Sequence, residues 1–193
     1  MIGKTSLSAN LAARLRKAAR RMRAEGEKAS AAIEFAMIAP VFFLLLMGII
    51  ENGVIYFAGS TLQYATDDAA RYVRTGQAQA ASMTQAQFQA RICSHISSFL
   101  NCNNLQVDMQ AYSGYTSANF SSPTLPSGAV NPALNNYQPG VACNVVLLRT
   151  FYTWRVLTPV LSTFLTNMTT GNHLITATAA FRNEPFVTNI AGC

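Results

Sequence analysis

Charge is scarce in this sequence, and acidic charge is scarcest: Asp and Glu number 8 among 193 residues, and His only 2. The two histidines, His95 and His173, do not fall at metal-ligand spacings from the cysteines, so a zinc site has no usual donor pattern. Among the carboxylates beyond the basic N-terminal stretch, only Asp67 and Asp68 are close neighbours. Adjacent residues diverge on a helix, which leaves paired-carboxylate acid–base chemistry without a site. Cys93 and His95 stand two apart on an expected helix and point to different sides, which excludes a Cys–His dyad. Gly3-Lys4-Thr5 lacks the upstream glycine and the preceding strand of a phosphate-binding loop. No aromatic residue is interleaved with the N-terminal Lys and Arg, so a nucleic-acid arm is disfavoured. These absences point away from an enzyme, a metal, a cofactor and a nucleic-acid partner.

What the sequence does have is one long apolar run. Phe35 to Ile50 carries no charge, and only Glu34 interrupts the stretch that begins near Lys28. Continued to Ala58, the run makes a helix of about 24 residues, roughly 36 Å at 1.5 Å per residue. That exceeds a hydrocarbon core of about 30 Å. The whole net charge of +6 sits between Lys4 and Lys28; from Glu34 onward basic and acidic residues balance. Basic flanks stay cytoplasmic, so the chain is expected to be single-pass, with its N-terminus inside and everything after about Ala58 outside. Leu11, Leu15 and Met22 also suit an amphipathic helix on anionic lipid. A secretory signal peptide is the competing reading, but such h-regions span about 7–15 residues and end at a small-residue cleavage site. Here the run is longer and continues as an amphipathic helix through Glu51-Asn52-Gly53-Val54.

All 4 cysteines, Cys93, Cys102, Cys143 and Cys193, lie beyond the run, on the side where an oxidising compartment favours disulfides. Three pairings are open. Cys93–Cys102, which closes a short local loop, and Cys143–Cys193, which ties the C-terminus to a strand, are favoured.

Past the apolar run, Val54, Ala58, Leu62, Ala65, Ala69, Tyr72 and Val73 recur at spacings of three and four. The pattern predicts one helix from Ser30 to Thr75, kinked or locally opened at Pro40, and capped by Gly76. Asp67 and Arg71 are placed for an exposed i,i+4 ion pair. After a Gln/Ala linker at 77–81, Thr84 and Gln87 form a capping-box pattern. Phe88, Ile92, Ile96 and Phe99 or Leu100 then supply the apolar stripe of a second helix ending near Asn101. Alternation over Leu105–Ala111 predicts a strand with one buried face. Residues 113–140, rich in Ser, Asn, Pro and Gly, read as a long exposed loop. Val141–Trp154 reads as a longer strand, with Trp154 as a core or sheet anchor. A short helix begins at Thr158-Pro159 and runs to about Asn167, and His173–Arg182 returns as the third strand. The fold class is α+β: a long N-terminal helix, half membrane and half amphipathic, with a second helix laid on a small three-stranded antiparallel sheet. The sequons at Asn119 and Asn167 matter only in a eukaryotic cell.

The string SAAIEFAMIAPVFFLLLMGIIENGVIYFA, with basic residues before it and Tyr64-Ala65-Thr66-Asp67-Asp68-Ala69-Ala70-Arg71 after it, resembles the TadE-like minor pilins, or pseudopilins, of tight-adherence (Tad/Flp) systems. Phe181-Arg182-Asn183-Glu184-Pro185-Phe186 is similar to the C-terminal part of that family. The resemblance implies insertion in the inner membrane, a periplasmic ectodomain and incorporation in an adhesive surface pilus. It also implies cleavage by a prepilin peptidase that leaves a glutamate at the fifth mature position. Counted back from Glu34, the cut falls between Ala29 and Ser30. The family's usual residue before the cut is Gly, and the alternative cut, between Gly26 and Glu27, would make Glu34 the eighth residue. The implied division is a leader over 1–29, an assembly helix over 30–58 with Glu34, Phe35 and Pro40 setting assembly and register, and a pilin-like domain over 59–193. The implied partners are the peptidase, the major and other minor pilins, and the pilus assembly platform. Glu34 would meet the new α-amino group of a neighbour when the helices pack; the alternative is a carboxylate that snorkels to the interface. Glu51, about 25 Å further along the helix, is expected near the outer headgroups. Two other functions stay open: an uncleaved, membrane-anchored periplasmic binding domain, and a secreted enzyme released by signal peptidase.

Overall fold

Ala, Leu, Arg and Lys, all strong helix formers, dominate the chain from Leu11 to Lys28, and the first helix accordingly starts well before the apolar run. The computed structural model describes residues 4–158 and 161–186, except for the side chains of 4–15 and 18–29. Helix α1 spans Lys4–Arg74 rather than starting at Ser30, and it continues through Pro40. The chain divides into two compact units, Met1–Met47 and Gly48–Cys193. Of the first, α1 is the sole described element.

The second unit begins with the remainder of α1. Gly76, at φ 78°, turns the chain after it, and its N–H reaches the Val73 carbonyl at 3.0 Å. A Cβ there would overlap the Phe186 ring, so glycine serves both the left-handed turn and the close approach. The Gln/Ala stretch forms a single helical turn, α2 (Gln77–Ala80). Helix α3 (Gln85–Ile96) starts on a complete capping box between Thr84 and Gln87. It ends four residues before Leu100, which the following turn buries while leaving Phe99 partly exposed.

The sheet has order β1-β2-β3, with β1 (Leu105–Tyr112), β2 (Val145–Arg155) and β3 (Asn172–Arg182) all antiparallel. A short helix, α4 (Ser162–Leu165), lies between β2 and β3. It starts later than the expected Thr158-Pro159, whose Pro159 is outside the described residues. Strand β2 also starts later than expected, because 141–144 form a turn. Cys143 there takes φ 65°, and the Asn144 side chain accepts from the Val141 N–H at 2.9 Å.

One sheet face packs on the helices. Ala58, Leu62, Ala65, Ala69 and Val73 of α1 and Phe88, Ile92 and Ile96 of α3 are fully buried against Val107, Met109, Val146 and Leu148. The alanines bring α1 close enough for the Thr66 and Thr150 hydroxyls to meet at 2.7 Å. The other face is covered as well, which corrects the reading of one buried face and of 113–140 as an exposed loop. Leu134, with Val130 beside it, folds back onto Phe151, Met168 and Leu174 in a second apolar cluster. Beneath this cover Asp108 and Arg149, paired across β1 and β2, are joined at 2.8 Å with the Asp108 side chain 0% exposed.

Both sheet edges are occupied in part. Met109 of β1 exchanges backbone hydrogen bonds with Asn136 and Gln138. On β3, the Asn167 amide takes both backbone groups of Leu174, at 2.6 and 3.0 Å. The Gln63 amide does the same for Thr178, at 3.4 Å each.

Cys93 and Cys102 form a disulfide with Cα atoms 5.7 Å apart. It joins the end of α3 to the turn that leads into β1. Cys193, the partner expected for Cys143, lies outside the described residues. A short loop closed by such a bridge is worth about 2–4 kcal/mol. The double variant Cys93→Ser/Cys102→Ser should therefore unfold at distinctly lower urea in detergent-solubilised protein. Unchanged stability would show that the bridge adds nothing to the fold.

Candidate functional site

Between Ile33 and Met47 nearly every large apolar side chain is exposed, including three in a row at Val41, Phe42 and Phe43. Residues in succession on a helix point in all directions. The helix is therefore apolar around its whole circumference, the pattern of a segment made for lipid or for other helices. It is the one helix among the described residues that is long and apolar enough to cross a membrane. A single helix of that kind is compatible with single-pass membrane anchoring.

Glu34 lies near the start of this surface. It is exposed and accepts a hydrogen bond from the Ser30 hydroxyl at 3.2 Å, one helical turn back. Phe35 and Pro40 are both exposed. Ala29, Gly26 and Glu27 belong to α1, but their side chains lie outside the described residues. Ser30 and Glu34 are thus brought together, as their spacing requires, while Phe35 and Pro40 present themselves to whatever surrounds the helix.

Other residues weighed from the sequence take structural roles. Cys93 is bonded to Cys102 and holds no thiol. His95 turns away from it, its Nε2 3.2 Å from Asp68, which also receives Arg91 at 2.8 Å. Asp67 accepts from Gln63 at 2.9 Å, and among the described residues it forms no ion pair with Arg71: the side chain four residues back takes the place expected for the one four residues on. Trp154 stacks on Phe99 with ring centroids 6.2 Å apart.

The C-terminal motif closes α1. The Glu184 N–H donates to the Arg74 carbonyl at 2.9 Å, and its carboxylate lies 3.4 Å from the Arg74 guanidinium. The buried Asn183 amide donates to the carbonyls of Pro139 and Val141, at 2.9 and 3.0 Å.

Two carboxylates are the most engaged: Glu51, expected near the outer headgroups, and Asp108, which the sequence did not single out. Glu51 is 7% exposed and accepts the backbone N–H groups of Leu157 and Thr158, the latter at 2.9 Å. Asp108 collects Arg149 and the Asn136 amide, both at 2.8 Å, and the Gln110 amide at 3.2 Å. Burial alone would raise the Asp108 pKa, but the hydrogen bonds from Asn136, Arg149 and Gln110 outweigh it and hold the carboxyl below its usual range. The signal for Asp108 was an ion-pairable residue at mid-strand; for Glu51 it was a lone carboxylate closing an apolar run.

Residues 29–71 match the family model described as TadE-like protein. Over these residues the chain is similar to that family. The matched segment holds Ser30, Glu34, the apolar circumference and most of the α1 face that packs on the sheet. The TadE-like pilin family is structural and non-enzymatic. The match stops short of the C-terminal motif at 181–186. No curated protein and no solved structure matches the chain significantly.

Proposed function

We propose that the chain is a minor pilin, or pseudopilin, of a Tad-type adhesive pilus. It is inserted in the inner membrane with the basic leader 1–29 in the cytoplasm and the ectodomain, with its disulfides, in the periplasm. A prepilin peptidase cuts between Ala29 and Ser30, and the new subunit joins the major and other minor pilins through residues 30–58 at the assembly platform. The observation that carries this reading is the fully apolar, exposed circumference of a helix that bears one carboxylate at its edge. Such a surface suits two successive environments, first lipid and then the helices of neighbouring subunits. In the second, Glu34 needs a cation to offset its burial, and the α-amino group created by the cut supplies one. The TadE-like match to residues 29–71 supports the same reading.

Ala29 in place of the usual glycine favours a second reading, an uncleaved periplasmic domain anchored by the same helix. Intact mass of the membrane-extracted protein separates the two. Loss of residues 1–29 with the apolar helix retained is expected. A full-length mass would establish the anchored domain instead, and a form beginning beyond Ala58 would establish a secreted protein released by signal peptidase.

A further inference from the structure

The turn of α1 that ends the apolar run holds a second piece of chain. Glu51 accepts the N–H groups of Leu157 and Thr158. Three residues earlier, a Cβ on Gly48 would overlap the Leu161 side chain. The segment after β2 is therefore pinned to Gly48–Glu51 by a carboxylate and by a glycine that lets it approach. From Val156 to Leu165 this segment carries no charge.

Its two most prominent outward side chains are apolar. Phe164 is 84% exposed and Leu157 71% exposed, and they accompany Ile49 and Ile50 of α1, also exposed. Tyr56 and Phe57 follow one to two turns on, and Phe57 meets Phe99 edge to face at 5.3 Å. Arg155, exposed at the head of the segment, adds one cation. An uncharged stretch with protruding Leu and Phe, next to Tyr, Trp and Arg, is costly in water. Its composition matches the boundary between acyl chains and headgroups, where aromatic rings gather and cations meet lipid phosphates.

On the membrane-anchored reading above, we infer that residues 155–158 and 161–165 form a second lipid contact, lying on the outer-leaflet surface beside Gly48–Glu51. The occupant is the lipid surface, because the segment is fixed to the last turn of the apolar run, where a bilayer-spanning helix leaves the hydrocarbon. Glu51 acts as the positioning residue. It fixes the segment's backbone, so that Leu157 and Phe164 enter the acyl region together, and the ectodomain keeps one orientation to the membrane.

The single tryptophan makes a direct test available. In a Trp154→Phe background, full-length chains carrying Phe164→Trp or Phe42→Trp are reconstituted in phosphatidylethanolamine/phosphatidylglycerol vesicles. The lipids carry bromine either near the headgroups or near the chain ends. The indole of Phe164→Trp should lose most of its emission to the shallow bromines and little to the deep ones. That of Phe42→Trp should be quenched by the deep bromines. Adding Glu51→Ala should abolish the shallow quenching at Phe164→Trp, whereas Glu51→Gln, which still accepts an N–H, should retain most of it. Quenching of Phe42→Trp without quenching of Phe164→Trp overturns the lipid contact and leaves the anchor standing. If Phe164→Trp is unquenched by lipid yet shielded from iodide, the face is covered by protein, and the proposal again falls. If neither indole is quenched, the membrane anchor and the contact fall together.

Discussion

A Glu34→Ala variant should accumulate in the inner membrane, be processed like the parent, and fail to join other pilus components in cross-linking. Insertion is not expected to suffer, because a carboxylate costs about 2.5–3.5 kcal/mol at the centre of a membrane helix and less near its edge. Removing it makes the lipid-embedded state slightly better. The packed state is different. There the α-amino group of the next subunit would be buried without its partner, and breaking a buried pair costs about 3–5 kcal/mol. The Ser30 hydroxyl, now 3.2 Å from Glu34, cannot compensate, since it carries no negative charge. Glu34→Gln keeps hydrogen bonding without charge and should fall between the two. Normal cross-linking and full surface adherence by Glu34→Ala would leave Glu34 as a carboxylate that snorkels, and register would have to come from helix shape alone.

The second large effect belongs to the sheet. Asp108→Ala should destabilise the ectodomain by about 3–5 kcal/mol, a sizeable part of the roughly 5–15 kcal/mol available to a domain. The Arg149 guanidinium would stay buried with only the Ser121 carbonyl, 2.9 Å away, to receive it. Urea unfolding followed by Trp154 emission gives the shift in midpoint, and the double variant Asp108→Leu/Arg149→Leu should recover much of the loss. An unchanged midpoint in Asp108→Ala would mean that water reaches Arg149 and the pair is not sealed.

The same carboxylate sets a limit in acid. Its pKa is lowered in the folded state, so the stability it contributes is fully present above the unfolded value of about 3.9. That stability disappears as the pH falls through the folded value. Unfolding midpoints should thus be insensitive to this group from pH 5 to 8 and decline below about pH 4. Asp108→Asn should show a shallower decline.

Local periodicity made the helix face of this fold legible. The spacing of Ala58, Leu62, Ala65, Ala69 and Val73, the Thr84/Gln87 box and the alternation in β1 each report on neighbours three, four or two residues away. The Cys93–Cys102 bridge was legible for the same reason, since it spans a sequence separation of 9. The second layer was not legible. Val130 and Leu134 are scattered among Ser, Asn, Pro and Gly without any period, so nothing local marks them as a lid. Asp108, alternating with apolar neighbours, looked like a solvent-facing residue. In the candidate site, Ser30 and Glu34 meet because one helical turn separates them. Glu51 finds partners 106 and 107 residues away. They are backbone N–H groups, which any residue but proline supplies, so no side chain in the sequence advertises the contact.

The two side-chain amides held against β3 have a further meaning for how this sheet meets other chains. An open strand edge recruits any other strand it meets, in any copy and in the wrong order. Asn167 and Gln63 each imitate the peptide group of a missing neighbour, at Leu174 and Thr178, while 136–138 occupies Met109 on the far side. At these positions the strand edges are engaged from within and closed to another chain. On the pilin reading proposed above, pairing between copies through these strand positions would be disfavoured, and the choice of neighbour would pass to the apolar helix.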